Sequence, residues 1–141
     1  MQKAIIGLSP FLVQALSIAL NFNALRLGSA ANAVNIIVSI LYFSFWIRFI
    51  RVAKKSGAQR GLDFSLVLWG LVLLTALLTL SVNIFDFDLP GAIPLAILFL
   101  TPIYGVRIAQ LSNVAALVIV ALVAIAYFAY CITGLKQVKR K

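Results

Sequence analysis

The chain has 141 residues, of which 64% are hydrophobic and only 11% are charged. Soluble domains have about 45–50% apolar and about 25% charged residues, and a chain this short cannot bury such an excess of apolar side chains in one water-facing core. The composition therefore excludes an ordinary soluble domain, and it predicts an all-α membrane protein, a single helical bundle over residues 1–141.

The net charge of +9 comes from twelve basic residues against three aspartates. Bases that border hydrophobic segments orient membrane helices and contact anionic lipid headgroups. The predicted partner is therefore a lipid bilayer with anionic headgroups, and nucleic acid is not expected. The residues predicted to contact the headgroups are Arg48, Arg51, Lys54, Lys55, Arg60, Lys136, Lys139, Arg140 and Lys141.

Residue types that carry catalysis or bind metals are scarce in this sequence. It has no histidine or glutamate and one cysteine, Cys131, which excludes zinc, haem and iron–sulfur sites built from clustered His or Cys within one chain. Asp86 and Asp88 lack the further oxygen ligands that a divalent cation needs. Serine and threonine have no base to activate them. We therefore expect no enzymatic activity, no metal and no cofactor.

The first predicted span covers residues 4–25. Its apolar run continues too far for a cleavable signal and has no clear cleavage site. Ser9 and Pro10 have the pattern of an N-cap followed by a first helical residue, so the regular helix is expected to start at Pro10. One continuous helix kinked at Pro10 is the alternative. Gly28 is suited to end this helix.

The second and third predicted spans cover residues 32–50 and 62–85. The second ends in aromatic residues followed by bases, the pattern of a helix that leaves the membrane on the cytoplasmic side. The basic loop 51–61 is then the strongest indicator of that side. Asp63 is the expected N-cap of the third span.

The fourth apolar segment, residues 92–110, is irregular. Its apolar part has about 15 residues, which as a helix would cover about 22 Å of a hydrocarbon layer about 30 Å thick. A proline in a helix interior removes a backbone hydrogen bond, so the segment is expected to be broken. The residues predicted to form the break are Pro94, Thr101, Pro102 and Gly105. The last span covers residues 113–134, capped by Ser112 and Asn113 and ended by Gly134.

Two topologies remain open. If residues 92–110 span the membrane, there are five transmembrane helices, with seven bases on the cytoplasmic side and five outside. If this segment is re-entrant or interfacial, there are four transmembrane helices, with ten bases inside and two outside, Arg26 and Arg107. The positive-inside rule favours four spans. Both termini are then cytoplasmic, and a bacterial inner (plasma) membrane is the simplest host.

Polar residues recur at helical spacing along one face of each of the first three spans. They are Gln14, Ser17 and Asn21 on the first span, Asn32, Asn35, Ser39 and Tyr42 on the second, and Thr75, Thr79 and Asn83 on the third. Amides and hydroxyls in hydrocarbon need partners, so these stripes should face protein or water. They form either the walls of a hydrated path or hydrogen bonds between helices.

These features lead to three functional hypotheses. The first is a small transport or pore-forming, channel-like protein that acts as an oligomer, because four short helices enclose little volume. The alternative is a non-catalytic accessory, assembly or regulatory subunit of a larger membrane complex. The third is a holin-like effector that perturbs the membrane.

Overall fold

The structure is a computed structural model that describes residues 2–108 and 111–139. Over these residues it is helical, with five α-helices and one 3₁₀ helix. Their bounds are α1 Gln2–Leu27, α2 Ala33–Ser56, α3 Gln59–Phe85, α4 Ala92–Phe99, the 3₁₀ helix Thr101–Val106, and α5 Asn113–Lys139.

Four of these helices, α1, α2, α3 and α5, are long and apolar enough to cross a membrane. This confirms the prediction of an all-α protein with membrane-length helices. By contrast, α4 has eight residues and the 3₁₀ helix has six. Neither is long enough to cross about 30 Å of hydrocarbon.

Three helix boundaries differ from those predicted. Helix α1 continues through Pro10, so Ser9 is not an N-cap; other groups in a membrane bundle can satisfy the backbone bond that a proline removes. Helix α3 begins at Gln59, one turn before Asp63, and no side chain caps it. Helix α5 continues past Gly134 to Lys139. Gly134 is buried, so it serves close packing and does not end the helix.

The predicted basic loop 51–61 is almost entirely helical. Only Gly57 and Ala58 separate α2 from α3. Gly57 has a left-handed backbone with φ of 67°, and the N–H groups of both residues donate to the carbonyl of Ala53. This glycine C-cap closes a tight turn between antiparallel helices. In the turn between α1 and α2, Gly28 (φ 60°) follows the last residue of α1, as predicted.

The core between α2, α3 and α5 is aromatic. Trp69 on α3 stacks on Tyr127 of α5 with 4.0 Å between ring centroids and 9° between ring planes. The Tyr127 hydroxyl donates to the backbone carbonyl of Phe43 on α2, at 2.8 Å. Trp46 of α2 is fully buried beside them. These contacts join α2, α3 and α5, while α1 packs against α2, α4 and the 3₁₀ helix.

Both basic clusters lie at the same end of the bundle. The Lys54 ammonium of α2 lies 4.5 Å from the centre of the Tyr130 ring on α5. Gly134 of α5 faces the side chains of Lys54 and Leu62. The α2–α3 turn and the last turns of α5 therefore share an end, which we call the basic end. The α1–α2 turn and loop 86–91 lie at the opposite end, which we call the far end.

Candidate functional site

The break in the fourth segment follows α4 and does not lie at Pro94. Pro94 is the third residue of α4, where its missing N–H had no partner to lose. Pro102 cannot donate to the carbonyl of Leu98, four residues earlier. The backbone departs from regular helix at Ile103 (φ −108°, ψ 15°), within the 3₁₀ helix. Of the two prolines predicted to break the segment, only Pro102 therefore lies where the α-helix ends.

Side chains of α1 replace the backbone hydrogen bonds that the break removes. The Gln14 amide N–H donates to the carbonyl of Leu98 at 2.5 Å. The Asn21 amide N–H donates to the carbonyl of Thr101 at 2.9 Å and lies 3.3 Å from that of Pro102. An unpaired backbone group at membrane depth costs several kcal/mol. The polar stripe of α1 therefore supplies donors where the fourth segment has lost them.

Helix α2 holds the same break from a second side. The Ser39 hydroxyl donates to the carbonyl of Pro102 at 3.1 Å and accepts a hydrogen bond from the backbone N–H of Gly105 at 2.9 Å. The Ser39 hydroxyl thus acts as both a donor and an acceptor, and the side chain is buried. The 3₁₀ helix is fixed between α1 and α2 by these contacts.

Two side-chain pairs connect α1 directly to α2. The Asn35 amide N–H donates to the side-chain oxygen of Asn21 at 3.0 Å, and the Tyr42 hydroxyl donates to that of Gln14 at 2.6 Å. The Asn35 oxygen accepts from the backbone N–H of Asn32, whose own side chain caps α2. Asn32 is exposed, so it belongs to a capping box and not to the buried network.

Gly105 lets the 3₁₀ helix lie directly on the backbone of α2. A Cβ atom at residue 105 would lie 2.7 Å from Ile36 Cα and closer still to the carbonyl oxygen of Asn35. Any other residue would therefore push two backbone segments apart. This close approach is what allows Ser39 to reach the break.

The stripe on α3 does not join this network. The Thr75 hydroxyl donates to the carbonyl of Leu71, and the Asn83 amide N–H donates to that of Thr79, each within α3 at 2.8 Å. The Thr79 hydroxyl is buried and has no partner among the described residues. Ser17 of α1 is also buried. The residues predicted as one class thus divide into a network around the break and a separate face on α3.

A cavity of about 170 Å³ lies beside the network, between α1, α3, α4, the 3₁₀ helix and α5. Most of its wall is apolar. Its polar lining residues are Thr79, Asn83, Tyr104, Arg107 and Asn113.

Arg107 lines this cavity, whereas the sequence predicted it only as one of the two bases outside the membrane in the four-span topology. It is half-buried, and its guanidinium donates to the Tyr104 hydroxyl at 2.5 Å. That hydroxyl donates in turn to the backbone carbonyl of Ser29, at 2.6 Å. The carbonyl of Arg107 accepts from the N–H of Ala31 at 2.8 Å. Its position directly after the broken segment was the one signal in the sequence that could have indicated this role.

The basic residues predicted to contact lipid are separate from the cavity. Arg48, Arg51 and Lys55 line an open groove on α2 at the basic end. Lys54 packs over Tyr130. The other described members, Arg60, Lys136 and Lys139, are exposed. Arg140 and Lys141 lie outside the described residues.

The chain matches no protein-family model, no curated protein and no solved structure. The described residues contain no group of three or more His, Cys, Asp or Glu side chains that could hold a metal ion. The function is therefore inferred from the chain itself, starting from the network around Pro102.

Proposed function

We propose that the protein has four transmembrane helices and that residues 92–106 form a re-entrant segment, entering and leaving at the far end. The Leu98 carbonyl bonds to Gln14, whereas Arg107 bonds to Ala31 at the far end. Helix α1 rises about 20 Å between Gln14 and Leu27 at 1.5 Å per residue. The segment would therefore reach about two thirds of the way through the hydrocarbon layer.

The basic end is proposed to be cytoplasmic, with both termini on that side of a bacterial inner membrane. The support is the distribution of charge. Both basic clusters lie at this end, and the positive-inside rule places such clusters in the cytoplasm. The far end carries the exposed acidic residues Asp86 and Asp88.

Within this topology, the protein is proposed to be a non-catalytic accessory subunit of a larger membrane assembly. One observation carries the proposal: the polar side chains of α1 and α2 are bonded to the chain's own broken segment or to one another. Asn21 has no exposed surface, and Asn35 and Ser39 are each 3% exposed. Groups buried in this way cannot line a hydrated path between copies. They act as hydrogen bonds between helices.

Helix α1 offers a surface for a partner helix. It is the least enclosed of the four long helices: 22% of its apolar stretch is buried, whereas 33–39% is buried in each of the other three. Ala15 and Ala19, four residues apart, are both exposed on α1. Small residues at this spacing let the backbones of two membrane helices approach closely. Because both alanines are exposed in the part of the chain that the structure describes, a helix of another membrane protein is their proposed partner.

The test is cross-linking in native membranes followed by purification in mild detergent. The wild-type chain should recover the same heterologous membrane protein reproducibly, with cross-links on α1. The double variant Ala15→Phe, Ala19→Phe should reduce this recovery at least tenfold, because bulky rings prevent close helix approach. The matched control is Ala126→Phe, Ala129→Phe on α5, whose alanines are equally exposed. It should leave recovery unchanged.

A pore made of several copies predicts different results. The purified chain would form one homogeneous homo-oligomer with no other protein attached. In liposomes it would release ions or small solutes above the level of empty vesicles. Together these two outcomes would overturn the accessory proposal, and recovery that is equal for both double variants would remove α1 as the partner surface.

A further inference from the structure

The cavity beside the broken segment has the size and wall of a site for an apolar group. Its volume is about 170 Å³, and Leu25, Leu100 and Val120 are among the side chains that line it. Apolar protein cavities of about 150 Å³ bind benzene-sized molecules. The cavity can therefore accept a short stretch of hydrocarbon chain.

The rim of the same cavity is positively charged. Arg107 lines it, and the contact with Tyr104 uses one of the five N–H donors of its guanidinium. Among the described residues, no carboxylate oxygen lies within 4.0 Å of this guanidinium. The amide-bearing side chains of Asn83 and Asn113 lie on the same lining.

Two further features of the rim favour an anion or an oxygen acceptor. Helix α5 has 27 residues and begins at Asn113 with no acidic residue in its first turn, where the Ser112 hydroxyl accepts a hydrogen bond from the N–H of Ala115. Asn113 lines the cavity, so the positive end of the helix dipole lies at this lining without a carboxylate beside it in the first turn. Thr79 is among the lining residues of the cavity, and its buried hydroxyl has no partner among the described residues. An ester or headgroup oxygen would give it an acceptor.

We propose that this cavity binds an acidic lipid of the surrounding bilayer, with its anionic headgroup at Arg107 and part of one acyl chain between α4 and α5. The apolar wall selects an amphiphile over a soluble anion, and the arginine with the helix terminus selects an acidic headgroup over a neutral one. This site is distinct from the basic end, where exposed lysines and arginines contact headgroups without a cavity. It does not depend on the accessory function.

Photo-cross-linking separates the two regions within one experiment. Wild-type protein in non-ionic detergent is mixed with phosphatidylglycerol or phosphatidylcholine that carries a diazirine in one acyl chain, and cross-linked peptides are mapped. Phosphatidylglycerol should label residues 92–106 and 113–120 at least tenfold more than phosphatidylcholine does. Labelling at the basic end, residues 48–60, is the internal reference.

Variants at the rim test the headgroup contact. Arg107→Gln should reduce phosphatidylglycerol labelling of the cavity about tenfold, the scale of one hydrogen bond to a charged group, while labelling at the basic end stays constant. The matched control is Arg26→Gln, an exposed arginine in the last turn of α1 at the same end, which should change neither signal.

Substitutions in the apolar wall of the cavity test the contact with the acyl chain. Ala116→Leu should reduce cavity labelling by both lipids, because the added side chain fills the space. Ala96→Leu, on the opposite wall, serves the same purpose if the first variant does not fold. Equal labelling of the cavity by both lipids, or labelling that Arg107→Gln leaves intact, would overturn the proposal. Stronger labelling by a diazirine fatty acid than by phosphatidylglycerol would overturn the assignment to a bilayer lipid.

Discussion

The substitution Asn21→Leu tests whether the polar network holds the broken segment. Leucine has the same branched arrangement of side-chain heavy atoms as asparagine, with bulkier methyl groups, but can neither donate nor accept a hydrogen bond. In the structure the Asn21 amide donates to Thr101 and approaches Pro102, and its oxygen accepts from Asn35. The substitution therefore removes three contacts at once and leaves the Asn35 amide group without this partner.

The magnitude follows from the number of bonds. Hydrogen bonds between membrane helices contribute about 0.6 kcal/mol on average and about 1.7 kcal/mol at most. Three such contacts put the loss in the free energy of unfolding of Asn21→Leu at about 2 kcal/mol, with about 5 kcal/mol as the upper bound. Because Asn21 and Asn35 share a bond, the two variants Asn21→Leu and Asn35→Leu should be non-additive by at least 0.5 kcal/mol.

The assay is reversible unfolding in mixed micelles, followed by circular dichroism and the fluorescence of the buried tryptophans. The matched control is Asn23→Leu, two residues away on the same helix but exposed, which should change stability by less than about 0.5 kcal/mol. If Asn21→Leu and Asn23→Leu are equally stable, Asn21 does not support the break. That result would favour the hypothesis that the polar stripes line a hydrated path.

Three other predictions use matched positions. Gly105→Ala should lower the free energy of unfolding by about 1–3 kcal/mol, because the added Cβ would overlap the backbone of α2. Gly91→Ala is the control: residue 91 has open space around it, so this substitution should have little effect in the same assay. Tyr127→Phe should lower the free energy of unfolding by only about 0.6 kcal/mol, because it removes one hydrogen bond. Tyr127→Ala should lower it several times more, because it also removes the stacked ring; equal losses would show that the stacking contributes nothing to stability. In intact cells, a membrane-impermeant thiol reagent should label Asp88→Cys but not Ser56→Cys, and the reverse pattern would invert the proposed topology.

The sequence alone determined the features that depend on composition and local chemistry. An apolar excess too large for a water-facing core required membrane-length helices, and four are present. Gly28 after α1 and Ser112 before α5 were correctly predicted as helix ends, because left-handed backbone and N-cap hydrogen bonds depend on nearby residues. For the fourth segment the sequence predicted a proline break, since proline lacks the N–H that a helix interior requires; in the structure α4 ends at Phe99 and a 3₁₀ helix follows.

Only the tertiary structure decided which groups meet. Helical spacing predicted that the three polar stripes share one role. In the structure the stripe on α3 makes no hydrogen bond to the network, because helical spacing determines which residues share a face of a helix but not which neighbour that face contacts. Of Pro94 and Pro102, each able to break a helix, only Pro102 lies beyond the first turn of α4 and leaves a carbonyl, that of Leu98, to be satisfied by Gln14. The placement of Arg107 beside a cavity depends on five elements packing around one space. That is a long-range arrangement, and no local pattern in the sequence encodes it.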